Sequence, residues 1–138
     1  MTKLYPYLNF MEKGTEAMKF YQSVFGGNLK VQSYGESGQS DKPEEKDFLM
    51  HGELTTDSFT FFASDGNSEH EVHIGDNVNM SLVGEDTEEL TKYFNGLAEG
   101  GNITMPLAKQ FWGDTFGMLT DKFGVHWMVN ISGGEQKQ

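Results

Sequence analysis

Apolar residues recur along the chain at two spacings, and the two spacings follow each other in the same order twice. Ala17, Phe20, Tyr21, Val24 and Phe25 fall at i, i+3, i+4, i+7 and i+8, which is one face of a helix with 3.6 residues per turn. Leu90, Tyr93, Phe94, Leu97 and Ala98 repeat that spacing. Asp86, with Glu89 three positions on, predicts an aspartate-led capping box at the start of the second helix. Both helices run into the same words, Gly26-Gly27-Asn28-Leu29 and Gly100-Gly101-Asn102-Ile103. Glycine just past a helix takes the left-handed conformation that ends it, so each copy reads helix, stop, strand. Two matched copies about half a chain apart indicate an internal duplication.

The flanking segments carry strand composition and partial alternation. Strands are predicted at Leu4 to Phe10, Lys30 to Tyr34, Phe48 to Leu54 and Phe59 to Ser64 in the first copy. In the second copy they are predicted at Asn79 to Val83, Ile103 to Leu107, Thr115 to Thr120 and His126 to Ile131. Gly35 to Glu45 and Asp65 to Asn77 are polar and read as surface loops. The expected fold is therefore α+β, with two tandem β-α-β-β-β modules forming a curved mixed sheet around a concave ligand cup. One domain is expected over 1–132, with modules of about 1–66 and 76–132 and a flexible tail at 133–138.

Composition narrows the function classes. A length of 138 residues fits one domain, and 36% apolar with 22% charged residues fits a chain that builds a core. The formal net charge of -11 argues against nucleic acid and anionic membrane surfaces, both of which select for Lys and Arg. No apolar run approaches a membrane span, and the N-terminal residues lead into no signal-like segment, so a cytoplasmic protein is expected. With no cysteine in the chain, disulfides and thiolate chemistry are excluded, and a hard or borderline metal would need His, Asp or Glu.

Several words, taken in order, resemble the PhnB-like branch of the vicinal oxygen chelate superfamily, which includes glyoxalases, bleomycin-binding proteins and dioxygenases. They are Tyr5-Pro6-Tyr7-Leu8-Asn9-Phe10, Ala17-Met18-Lys19-Phe20-Tyr21 with Phe25-Gly26-Gly27, Met50-His51-Gly52-Glu53-Leu54, Ala63-Ser64-Asp65, Phe111-Trp112-Gly113-Asp114, and Asp121 through Trp127. The resemblance implies the tandem fold and a homodimer whose halves complete each other's cups. It also implies metal-ligand places on strands one, four, five and eight. Those places fall on Tyr5, on Phe61, Phe62 or Ala63, on Val78 or Asn79, and on Met128. None is a good ligand for a hard or borderline divalent ion, so no metal and no cofactor is expected there. Branch members also carry a methyltransferase label, but both glycine pairs follow helices and form no cofactor-binding glycine loop.

If Tyr5 and Met128 face the cup, alternation sends Tyr7, Asn9, His126 and Asn130 there and puts Trp127 and Val129 under the helices. With Phe48, Met50 and Leu54 on the helix side, His51 and Glu53 face the cup. His51, Glu53 and His126 could form an acid-base group or a relocated metal site; alternatively His51 and Glu53 are a polar pair lining a pocket or seam, and His126 only caps or packs. Phe111 and Trp112 either wall a ligand or pack at a rim or dimer contact. Glu69-His70-Glu71-Val72-His73 reads as a solvated linker. The expected ligand-binding residues are Tyr5, Tyr7, His51, Glu53, Phe111, Trp112, His126 and Met128. The expected activity is small-molecule binding without a metal; the alternative is a glyoxalase- or dioxygenase-type enzyme using the relocated site.

Overall fold

The chain runs β1 (Tyr7–Phe10), α1 (Gly14–Phe25), β2 (Asn28–Ser33), a single helical turn α2 (Tyr34–Ser37), a 3-10 turn (Pro43–Glu45), β3 (Leu49–Thr55) and β4 (Thr60–Asp65). It continues through β5 (Met80–Gly84), α3 (Thr87–Ala98), β6 (Asn102–Lys109), β7 (Thr115–Thr120) and β8 (His126–Ile131). The computed structural model describes residues 1–38, 42–66 and 71–133. Residues 134–138 of the expected tail and the Glu69-His70 part of the acidic linker lie outside the described residues, while Gly133, its first residue, donates to Asp114 Oδ1. The chain divides into two compact units, Met1–His73 and Ile74–Gln138.

Each unit is a β-α-β-β-β module with its own four-stranded mixed sheet, so the architecture is α+β and duplicated. The strand order is β1-β4-β3-β2 in the first and β5-β8-β7-β6 in the second. In both, the first and last strands pair in parallel and the others antiparallel. The closure is the same too: Gly66 N donates to Phe10 O at 2.7 Å, and Ser132 N donates to Gly84 O at 2.7 Å. The repeated glycine pairs explain themselves. Gly26 and Gly100 have φ of 76° and 75°, and a Cβ on Gly27 or Gly101 would strike the carbonyl of Thr55 or Thr120.

One helix covers one face of each sheet. Ala17, Met18, Tyr21 and Phe25 of α1 are buried, with the Tyr21 ring 5.7 Å from Phe61 and Phe25 5.2 Å from Phe59. In the second unit Leu90, Phe94 and Leu97 are buried with Leu119, Trp127 and Val129. Two expectations about the helices change. Phe20, Val24, Tyr93 and Ala98 are only half-buried, because the buried stripe is narrower than the apolar one and in α1 is centred on Met18. Asp86 does cap α3, accepting from Glu89 N at 3.0 Å, but the Glu89 carboxylate takes the Tyr93 hydroxyl at 2.9 Å. The expected loop Gly35 to Glu45 holds the turn α2, closed by a Ser33/Glu36 capping box, and the 3-10 turn.

A bulge corrects the expected sides of β3. Gln32 pairs with His51 but Ser33 pairs with Leu49, so Met50 is an extra residue on β3. The slip turns Leu49 onto the helix side, fully buried, and leaves Phe48 and Met50 half-buried instead of in the core. It also takes the Leu49 N–H out of the ladder. Asp65, expected in a loop, is the last residue of β4 and receives that N–H: Leu49 N donates to its Oδ2 at 2.7 Å. Its Oδ1 accepts from Gly14 N, the first residue of α1, at 2.8 Å. Lys13, at the N-cap position, offers no side-chain bond, so Asp65 caps this helix from across the sheet.

Asp65 is 3% exposed. Desolvation pushes its carboxyl above the usual aspartate range, against the pull of the Leu49 and Gly14 donors, and Glu12 adds to the rise. The folded state therefore holds this proton more tightly than the unfolded chain. The stability it contributes is full below the ordinary aspartate range and is lost as pH rises through the raised folded value. Asp65→Ala leaves two backbone donors without a partner, at about 1 to 3 kcal/mol each. Urea denaturation of the variant checks the loss, and carboxyl carbon NMR checks that the Asp65 midpoint lies above those of exposed aspartates.

Candidate functional site

On the first sheet the face away from α1 carries Asn9, Phe62, Ser64, His51 and Glu53, each alternating with a residue buried on the helix side, and Tyr7, the register partner of Phe62. Phe62 is the hub. Its ring lies 5.2 Å from Tyr5, 6.2 Å from Tyr7 and 5.6 Å from His51, with Tyr7 and His51 6.3 Å apart. Glu53 is the register partner of Phe62 on one side and Lys30 on the other, and its Oε2 accepts from the Thr55 hydroxyl at 3.4 Å. Tyr7 is 48% exposed. The result is a half-open aromatic platform with a carboxylate at its side, able to stack a planar group and attract positive charge.

On the second sheet the face away from α3 carries His126, Met128 and Asn130 of β8, while Trp127 and Val129 are buried as expected. A carbonyl can only accept, so His126 Nε2–H donates to Gly75 O at 3.1 Å, and Nδ1 then accepts from the Thr120 hydroxyl at 2.9 Å. Both ring nitrogens are committed, which makes His126 a clamp. The buried Asp121 accepts from Phe123 N, Val125 N and Trp127 Nε1 at 2.8, 3.1 and 2.8 Å, fixing the β7–β8 turn and the core indole together. Phe111 and Trp112 sit in the turn between β6 and β7. Phe111 is 97% exposed, and Trp112 leans edge-on towards Phe116 at 6.2 Å.

Of the expected site residues, the first unit brings together Tyr5, Tyr7, His51 and Glu53, and the second holds Phe111, Trp112, His126 and Met128. Phe62 was legible only as a poor metal ligand; Phe61 and Phe62 are both apolar, and sequence alone does not tell which faces out. The superfamily's metal does not fit this chain. The first-strand place Tyr5 stands against the Phe62 ring, the fourth-strand place is apolar whether it falls on Phe61, Phe62 or Ala63, the fifth-strand place Val78 or Asn79 precedes β5, and the eighth-strand place is Met128. Among the described residues no group of three or more His, Asp or Glu could hold a metal ion. His73 is exposed outside any helix or strand, and no described helix is long and apolar enough to cross a membrane.

Residues 2–130 match the family model described as 3-demethylubiquinone-9 3-methyltransferase. Protein YjdN of Escherichia coli K12 is 30% identical over 93% of this chain and 94% of its own. The crystal structure of PA1353 from Pseudomonas aeruginosa is 37% identical, with a TM-score of 0.83 over 96% of this chain and 98% of that one. The PhnB protein of Bacillus cereus is 28% identical, with a TM-score of 0.78 over 95% of this chain and 100% of that one. At the level of fold alone, a glyoxalase/bleomycin resistance protein/dioxygenase family enzyme from Burkholderia phytofirmans superposes with a TM-score of 0.57 at 17% identity, covering 91% and 95% of the two chains.

The committed and the open side chains should respond differently to truncation. His126→Ala is expected to cost roughly 1 kcal/mol for each of its two hydrogen bonds. Tyr7→Ala, at an exposed ring, should stay within about 0.5 kcal/mol. Urea denaturation of both variants checks the contrast; equal costs would make the Phe62 cluster a structural core and remove it as a site.

Proposed function

The chain belongs to the family described as 3-demethylubiquinone-9 3-methyltransferase, in its PhnB-like branch with the glyoxalase-type fold, and on that premise we propose that it binds a small organic molecule on the open face of its first sheet. The ligand is planar and aromatic, and best cationic. The observation that carries this reading is the ring cluster about Phe62, built from Tyr5, Tyr7 and His51 and flanked by Glu53. Ring faces and a carboxylate both favour positive charge, and a net charge of -11 attracts cations from a distance. Binding needs no metal, in keeping with side chains that are poor donors at the superfamily's ligand places. The metal-dependent alternative is not favoured, since His126, its third member, has both ring nitrogens engaged. Methyl transfer is not part of the proposal: each glycine pair closes a helix and none cradles a cofactor.

We read the protein as a cytoplasmic homodimer. In support, Val31 of the first unit and Val83 and Phe111 of the second present large apolar side chains to solvent, which self-association could cover. Sedimentation velocity is expected to give a dimer at micromolar concentration, and a monomer would end that part of the reading.

Calorimetry with 1-methylquinolinium and with uncharged quinoline tests the binding. The cation is expected to bind with a Kd below millimolar and more tightly than quinoline, and Phe62→Ala should weaken it at least tenfold. Absence of binding by both compounds, or binding unchanged in Phe62→Ala, would refute the assignment.

A further inference from the structure

The second sheet carries a feature that the organic-ligand reading does not use. Met105 of β6 is in register with Met118 of β7, and Met118 is in register with Met128 of β8. Cross-strand partners in a regular ladder project to the same side, which sets Met118 beside Met128; Met105 is the partner of Met118 at a point where β6 shifts register on either side of it, between Ile103 and Met105 and between Met105 and Ala108. Met118 alternates with the buried Leu119, and Met128 with the buried Trp127 and Val129, so these two lie on the face away from α3. Met105 is 41% exposed and the other two are partly exposed. Methionine is commonly spent on filling irregular core gaps, as Met18 does under α1, whereas Met105, Met118 and Met128 all lie outside the buried core.

We propose that Met105, Met118 and Met128 form a site for a soft monovalent cation of the copper(I) type. Two strand spacings put the outer methionines about 10 Å apart, so their side chains can lean inward over Met118 and offer three sulfurs to one ion. Thioethers are poor donors to zinc or magnesium and good donors to copper(I) or silver(I), which sets the class of ion. The next residue on this face of β7 is Phe116, with Trp112 against it, and their ring faces add attraction for a cation beside the sulfurs. Asp114 is held at the edge of this face, its two carboxylate oxygens accepting from Asn130 Nδ2 and Gly133 N at 3.0 Å each. The chain has no cysteine, so the thioethers are its whole supply of soft sulfur.

The test uses silver(I), which binds like copper(I) but does not change oxidation state, with the full chain labelled at the methionine methyl carbons. The resonances of Met105, Met118 and Met128 are expected to move together and saturate at one silver per chain, while buried Met18 stays still. Met118→Leu keeps the apolar volume and removes the sulfur. It should leave the unfolding temperature unchanged and weaken silver binding at least tenfold, and zinc should not move these resonances. Silver binding that leaves the three methyls in place, that persists unchanged in Met118→Leu, or that is lost instead in a His51→Ala or His73→Ala variant would overturn the assignment.

Discussion

Asp65 holds the first unit together at the point where its backbone pattern fails. The bulge at Met50 removes the Leu49 N–H from the ladder, and α1 begins without a capping side chain of its own. Both deficits lie under the helix, where an unpaired donor would be costly, and one buried carboxylate answers both. Burying a charged group is unfavourable, as its raised proton affinity shows, yet two backbone bonds make the site viable. Because helix, bulge and last strand meet at Asp65, the helix is fixed to one face of the sheet. The other face is left for Tyr7, His51, Glu53 and Phe62.

The second unit solves its corresponding problem at a different place. Asp121, at the β7–β8 turn, ties two turn amides to the indole of Trp127, so the carboxylate orients the largest side chain of that core. The two halves thus share topology and glycine stops but not their buried polar devices or their open faces. One open face is aromatic with a carboxylate, and the other is a methionine row beside Trp112 and Phe116. Duplication supplied the frame, and the exposed alternation positions carry different chemistry in each copy.

The sequence made the frame legible because helix stops and strand alternation are local: the glycine pairs, the capping Asp86, and Trp127 and Val129 facing inward were all readable. What it could not show depends on pairing between distant segments. A bulge is invisible without its partner strand, so Leu49 and Met50 exchange their expected roles. Phe62 became a hub only once β1 and β3 flanked β4, and Met105, Met118 and Met128 became a row only through register. Asp65 and Asp121 looked like loop and turn residues because burial of a carboxylate leaves no periodic signature. His126 was open between a site and a capping role, and the two hydrogen-bond partners that engage it lie 6 and 51 residues away.

The central claim is that the face of the first sheet opposite α1 is a binding surface while the face under α1 is structural. Chemical-shift mapping of the full chain during titration with 1-methylquinolinium tests it most directly. The account expects saturable shifts centred on Tyr7, His51, Glu53 and Phe62, with Met18, Leu49 and Asp65 unmoved. Shifts centred on the helix side, or spread evenly over both units without saturation, would contradict it.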